Sequence, residues 1–329
     1  MNNRKIALHL FIFLGFSLLC QITSAQETIE EYSPLQKDSI RIGNGEKDFF
    51  SFIQRGYTLQ LPKSKEINGT LIFLEGSGFD KKNISAKQLY KQANKKGFAV
   101  LSVSTEIPFD FYFSVNSIRS AHEEIQKAFL KHKLPNKNIF FLGASLTGHR
   151  AMRYIKVSTD KNYEFQLNTK GIVICNFTLD WTRKWHQHER EIRIQKNNLW
   201  EPKFINYMLE THLGGTPQTQ PEKYHEFSAY SFFDKENRNI SLYKNLAIRA
   251  YVEPAIKYKL TKQYRTLYEN NTTDLVGFIA EQRLAGNEKT ELIVFQPGDN
   301  PSKKKNVQST WNAIDKKELM NWVLKQICD

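Results

Sequence analysis

Residues 138–154 read NIFFLGASLTGHRAMRY. Ile139 to Leu142 is a short apolar run of the length of a fully buried strand. Gly143-Ala144-Ser145-Leu146-Thr147-Gly148 follows, and then a helix-like segment with Ala151, Tyr154 and Ile155 at one-face spacing. A strand, a tight Gly-x-Ser turn and a helix are the context that a nucleophile elbow requires. Small residues at 143, 144 and 148 let strand and helix approach closely around a strained backbone. The turn predicts that the Ser145 hydroxyl projects above a sheet, with the N–H of Leu146 at the helix start able to hold an oxyanion. The usual fifth position of this motif is glycine; here it is Thr147, and Gly148 comes one place later.

Outward from this stretch the chain alternates buried strands with helices of crossover length. Gly69 to Leu74, Phe98 to Ser104 and Gly171 to Cys175 read as buried strands, with Asn245 to Val252 and Glu291 to Phe295 completing the set. Tyr57 to Leu61 alternates apolar and polar residues, as an antiparallel strand near a sheet edge does. Ser85 to Lys95 suits a helix, and Ser114 can cap another that carries Ile118, Ala121, Ile125, Ala128 and Phe129, with Pro135 beyond it. An amphipathic helix over Asp315 to Gln326 closes the chain. The alternation predicts an α/β fold with a mainly parallel sheet covered by helices on both faces. It stops between about Trp181 and Lys244, where a charged, aromatic, helical stretch reads as an inserted cap over residues 181–244.

The N-terminus carries a separate signal. Asn3-Arg4-Lys5 is basic, Ile6 to Cys20 is apolar, and Ser24-Ala25 offers a small-residue cleavage site before Gln26. The apolar run is shorter than the roughly 20 residues of a spanning helix. Residues 1–25 are therefore expected to be a cleaved signal peptide, and the protein exported, periplasmic or secreted, with no stable membrane anchor. Residues 26–48 form a polar lead-in and 49–329 the folded domain. Removing Arg4 and Lys5 lowers the formal charge from +13 to +11, and that charge is spread, with Lys303-Lys304-Lys305 as its only tight triplet. Spread charge on an exported chain argues against nucleic acid as a partner. Cys175 lies in an apolar run and reads as a small core residue rather than half of a disulfide.

With the elbow, the turn Glu75-Gly76-Ser77-Gly78-Phe79 and this strand order in hand, residues 55–326 resemble the α/β-hydrolase superfamily, and within it exported bacterial serine-hydrolase-like proteins. Tyr251-Val252-Glu253-Pro254 and Ser309-Thr310-Trp311 fall where such proteins carry an acid and a histidine. The resemblance implies a Ser–acid–His triad in that order and an oxyanion hole of two backbone N–H groups. It puts Ser145 at the nucleophile position, Glu253 as candidate acid, and Ser77 and Leu146 as the oxyanion donors. Glu75 stands where many members have histidine. If the acid belongs instead at 255, this chain has Ala255 there. No histidine follows His225, and Ser309 occupies the expected place of the base.

The implied triad is thus incomplete. His149 is one helical turn beyond Ser145 and is expected to point along the helix. His186 and His188, in the cap, are the candidates for a displaced base. His186-x-His188-Glu189 lacks a third spaced ligand, so no metal is expected, and no cofactor. Two function classes stay open: an esterase- or peptidase-like serine hydrolase, or a catalytically inactive hydrolase-derived protein. In either, a small-molecule or peptide ligand is expected under the cap.

Overall fold

The computed structural model describes residues 28–34, 36–37, 52–75, 84–104, 111–160, 162–164, 166–194, 199–295 and 310–328. The signal segment 1–25, Ser77 and Ser309 lie outside the described residues. The described residues form ten strands: β1 (Thr28–Tyr32), β2 (Gln36–Lys37), β3 (Phe52–Ile53), β4 (Gly56–Gln60), β5 (Gly69–Glu75), β6 (Phe98–Ser104), β7 (Ile139–Ala144), β8 (Thr169–Cys175), β9 (Ala247–Val252) and β10 (Thr290–Val294). Strands β2 and β3 pair by themselves, and the other eight make one sheet of order β1-β4-β6-β5-β7-β8-β9-β10. Within that sheet the pairings β1/β4 and β4/β6 are antiparallel and the rest parallel, and the separate β2/β3 pair is antiparallel.

The apolar strands sort by period two onto two cores. Ile72, Leu74, Leu101, Phe141 and Ile174 face one side, where α2 (Val115–Lys131), α3 (Leu146–Ser158) and α7 (Asn271–Leu284) cover them. Leu71, Phe73, Val100, Phe140 and Val173 face the other, against α1 (Ile84–Lys95) and α8 (Lys316–Cys328). A strand buried on both faces has no place for a polar face, which is why β5 to β8 read as continuous apolar runs. Cys175 is a buried, free core thiol, as its surroundings in sequence imply.

Strand β4 is antiparallel and lies near the sheet edge, as the sequence predicts, but one strand in, with all five of its residues buried despite their apolar–polar alternation. The edge is β1, drawn from the polar lead-in. Its polar side chains serve those of β4: Thr28 Oγ1 donates to Gln60 Oε1 at 2.7 Å, and the Tyr32 and Thr58 hydroxyls meet at 2.7 Å. Lys131 holds Glu31 at 2.7 Å and draws its carboxyl below the usual range. Helix α2 begins as the sequence predicts, with Ser114 Oγ accepting from Ser117 N at 3.2 Å. It ends at Lys131, four residues before Pro135.

Between β8 and β9 the chain makes α4 (Trp181–Ile194), α5 (Trp200–Leu213) and α6 (Pro221–Phe227). Asp180 caps α4 through Oδ1, which accepts from Arg183 N at 2.9 Å. Trp181, Trp185, Leu209, Leu213, Tyr224 and Phe227 form a small core of their own beside Phe111. The segment is tied to the sheet domain by a buried ion pair between Arg183 on α4 and Asp274 on α7, each side chain 1 % exposed.

Candidate active site

Ser145 sits between β7 and α3 with φ 55° and ψ −132°, a conformation that few L-residues adopt. Its N–H donates to Cys175 O on the neighbouring strand at 3.3 Å, which fixes the turn to the sheet. Its hydroxyl makes no capping bond to α3, in contrast to Ser114 on α2, and the side chain is exposed. A β-carbon on Gly143 would stand 2.3 Å from the Gly148 Cα and N, and one on Gly148 would stand 2.3 Å from the Phe177 ring. Gly148, rather than position 147, is therefore where α3 passes the strand, and Thr147 is accommodated beside it. Gly143→Ala is expected to destabilise the protein by about 3 kcal/mol, because the clash is with backbone that cannot rotate away. Urea unfolding measures this, and a loss below about 1 kcal/mol would mean that the turn is looser than described.

Ser145 and Leu146 open onto a cavity of about 320 Å³ between the elbow and helices α4 and α5. Its walls are largely aromatic, from Phe111, Phe177, Trp181, Trp200 and Phe204, and its polar groups include Thr178, Asn271, Lys184 and Glu201. Leu146 is the first residue of α3, so its N–H has no intrahelical acceptor and lies at the positive end of the helix.

His149 lines the same cavity, but both of its ring nitrogens are engaged. Trp181 Nε1 can only donate, so Nδ1 of His149 accepts from it at 3.2 Å. The ring proton is then on Nε2, which donates to Phe111 O at 3.0 Å. Burial, reinforced by Arg153, pushes its pKa far down and keeps it neutral. His188 is buried away from the cavity, 2.9 Å from Asn206 Oδ1, and burial also holds it neutral. His186 is half-buried on the outer side of α4, 3.3 Å from Gln218, and does not line the cavity. The structure therefore brings neither cap histidine to Ser145.

Glu253 follows β9 at the carboxyl end of the sheet, half-buried, and no hydrogen bond joins it to a histidine among the described residues. Ala255 has φ 43° and ψ 40°, the left-handed region that aspartate enters more readily than alanine. Glu75 ends β5 beside the elbow. Burial raises its carboxyl above the ordinary range, against the pull of Arg150 and a 3.5 Å hydrogen bond from Thr147 Oγ1. A shift toward the neutral acid eases the conflict between a carboxylate and an oxyanion in the same neighbourhood.

The sequence reading did not single out Lys184 or Glu201. The available signal for Lys184 was its place three residues after Trp181, on the same helix face.

No family model and no curated protein sequence matches the chain. In structure the chain is similar to the acylaminoacyl peptidase of Pyrococcus horikoshii, with TM-score 0.54, 12% identity, 94% of this chain covered and 43% of the peptidase. It is similar also to the bifunctional GH43-CE protein of Bacteroides eggerthii, with TM-score 0.53, 16% identity, and coverage of 91% and 35%. A third likeness is to carboxyl esterase 2 of the fungus Tuber melanosporum, with TM-score 0.52, 10% identity, and coverage of 93% and 86%. The chain thus spans less than half the length of the peptidase and of the bifunctional protein. Sheet order, elbow and these likenesses agree: the chain has the α/β-hydrolase fold.

Proposed function

We propose that the protein is a slow serine hydrolase of ester or peptide bonds, with Ser145 as nucleophile and the N–H groups of Leu146 and Ser77 as oxyanion donors. The observation that carries this reading is the strained Ser145, its hydroxyl committed to no cap and open to an aromatic cavity. Holding a non-glycine residue at such angles costs about 1–3 kcal/mol, and such strain clusters at functional sites. In the reaction Ser145 Oγ bonds to the substrate carbonyl carbon, and the carbonyl oxygen takes the negative charge. The serine proton passes to solvent, because among the described residues no histidine is placed to receive it; the adduct then collapses, expelling the alcohol or amine with a proton from solvent, and water frees the acid from Ser145. An oxyanion hole and binding alone sustain roughly a thousand- to ten-thousand-fold over water in proteases that lack their triad, and that is the range expected here.

One observation favours a second reading, in which the protein binds a ligand without chemistry: His149, the cavity's histidine, has no free nitrogen. Hydrolysis of a nitrophenyl ester separates the two. The first reading expects a rate above background that Ser145→Ala removes; a rate equal in both proteins supports binding alone. We propose further that the chain is exported after cleavage at Ala25. N-terminal sequencing of the exported protein should then begin at Gln26, and a chain that still begins at Met1 overturns this.

A further inference from the structure

Lys184 projects from α4 into the cavity that Ser145 lines, and its side chain is only 7 % exposed. An ammonium so enclosed is expensive unless it is paired. Among the described residues, its Nζ has neither a hydrogen-bond nor an ion-pair partner. The charges around it are matched elsewhere: Arg183 to Asp274, where Nη2 donates to Oδ2 at 2.8 Å, and Glu191 to Arg265. Glu201, exposed on α5, also lines the cavity but does not come within ion-pair distance of Lys184. Among the described residues, then, the Lys184 ammonium is paired with no side chain, and the carboxylates of Glu201 and Glu191 act on it only through space. Burial, with Arg265 adding to it, pushes the Lys184 ammonium down to about 8, so the amine is still mostly charged at neutral pH.

We infer that Lys184 binds a carboxylate of the substrate, so that the preferred ester or amide carries an acidic group at one end of an apolar, aromatic body. The body packs against Trp181, Trp200, Phe204 and Phe177, and the scissile carbonyl lies at Ser145. A carboxylate there makes a charge-assisted hydrogen bond to an ammonium whose stem is buried, and it offsets part of the cost of enclosing that charge. Trp200 and Phe204 stack on one another, with ring centroids 5.2 Å apart and planes 8° from parallel, which steadies the aromatic side of the cavity. The identity of the acidic substrate rests on the hydrolase reading; the carboxylate site itself does not.

Titration calorimetry of the full chain with phenylpropionate and with phenylpropionamide, its neutral isostere, tests the inference. The unmodified protein should bind the carboxylate at least tenfold more tightly than the amide. Lys184→Met, which keeps the length of the side chain and removes the charge, should erase that preference. Lys184→Gln should do the same, and it serves if the methionine variant fails to fold. An oxyanion hole can also attract a carboxylate, so a preference that survives in both variants overturns the assignment. So does equal affinity for the two compounds, or no binding of either. Nitrophenyl ester hydrolysis measured in parallel separates the claims. A carboxylate preference without hydrolysis leaves Lys184 in place and removes the hydrolase reading; hydrolysis without the preference does the reverse.

Discussion

Asp274→Ala is expected to lower the stability of the protein by about 3–5 kcal/mol, among the largest single-residue effects that the fold admits. Asp274 has two duties. Its carboxylate pairs with the guanidinium of Arg183, both side chains being 1 % exposed. Its Oδ2 also accepts from Leu179 N at 3.0 Å and Asp180 N at 3.2 Å, the backbone that leads into α4. Removing it strands two buried N–H groups and leaves Arg183 with only the neutral acceptors Asn271, Gln187 and Tyr268 beside Asp180. Breaking a buried pair from one side leaves a charge uncompensated, whereas replacing both partners by apolar groups removes the penalty along with the bond. Arg183→Met with Asp274→Leu should therefore be more stable than Asp274→Ala. Urea unfolding of the three proteins measures both differences. A loss below about 1 kcal/mol in Asp274→Ala would mean that water reaches the pair and that α4 is held by packing alone.

Reinstating a base is expected to raise hydrolysis at least tenfold, within the hundred- to ten-thousand-fold range of positioned acid–base catalysis. The variant is Ser309→His with Ala255→Asp. Position 309 is where the resemblance puts the triad histidine, and the left-handed conformation of Ala255 is one that aspartate accepts without added strain. The new imidazole takes the Ser145 proton and returns it to the leaving group, replacing solvent in both roles. Adding Ser145→Ala should abolish the gain. A rise that survives the loss of Ser145 would show that the new histidine acts on its own, outside the elbow.

Much of the sheet was legible because burial on both faces leaves nothing but apolar residues to write. Strands β5 to β8 stand out for that reason, and the Gly143–Gly148 approach is visible as two glycines flanking a serine. Strand β1 was not legible, since Thr28-Ile-Glu-Glu-Tyr32 uses polar side chains to pair with Thr58, Gln60 and Lys131 rather than to fill a core. Helix α7 was missed for a related reason. It buries Asp274 and Gln282 with Leu275, Phe278 and Ile279, while Val276 and Leu284 are exposed, so its apolar stripe is blurred. The candidate site divides along the same line. Ser145 is announced by local backbone demands, which a short motif records. Lys184 matters only because α4 folds back over the elbow, and no local pattern carries that. The histidines show the converse: His149, His186 and His188 are placed by tertiary packing, two of them deep in hydrogen-bonded interiors that keep them neutral.

The central claim is that the elbow presents Ser145 as a working, if slow, nucleophile. A fluorophosphonate probe tests it most directly, since it bonds covalently to a serine oxygen only where an oxyanion can be held. Peptide mass spectrometry of the labelled full chain should find the adduct on Ser145, formed more slowly than in hydrolases with a complete triad and absent from Ser145→Ala. No adduct on Ser145 after prolonged exposure, or equal labelling of the alanine variant, would contradict the account.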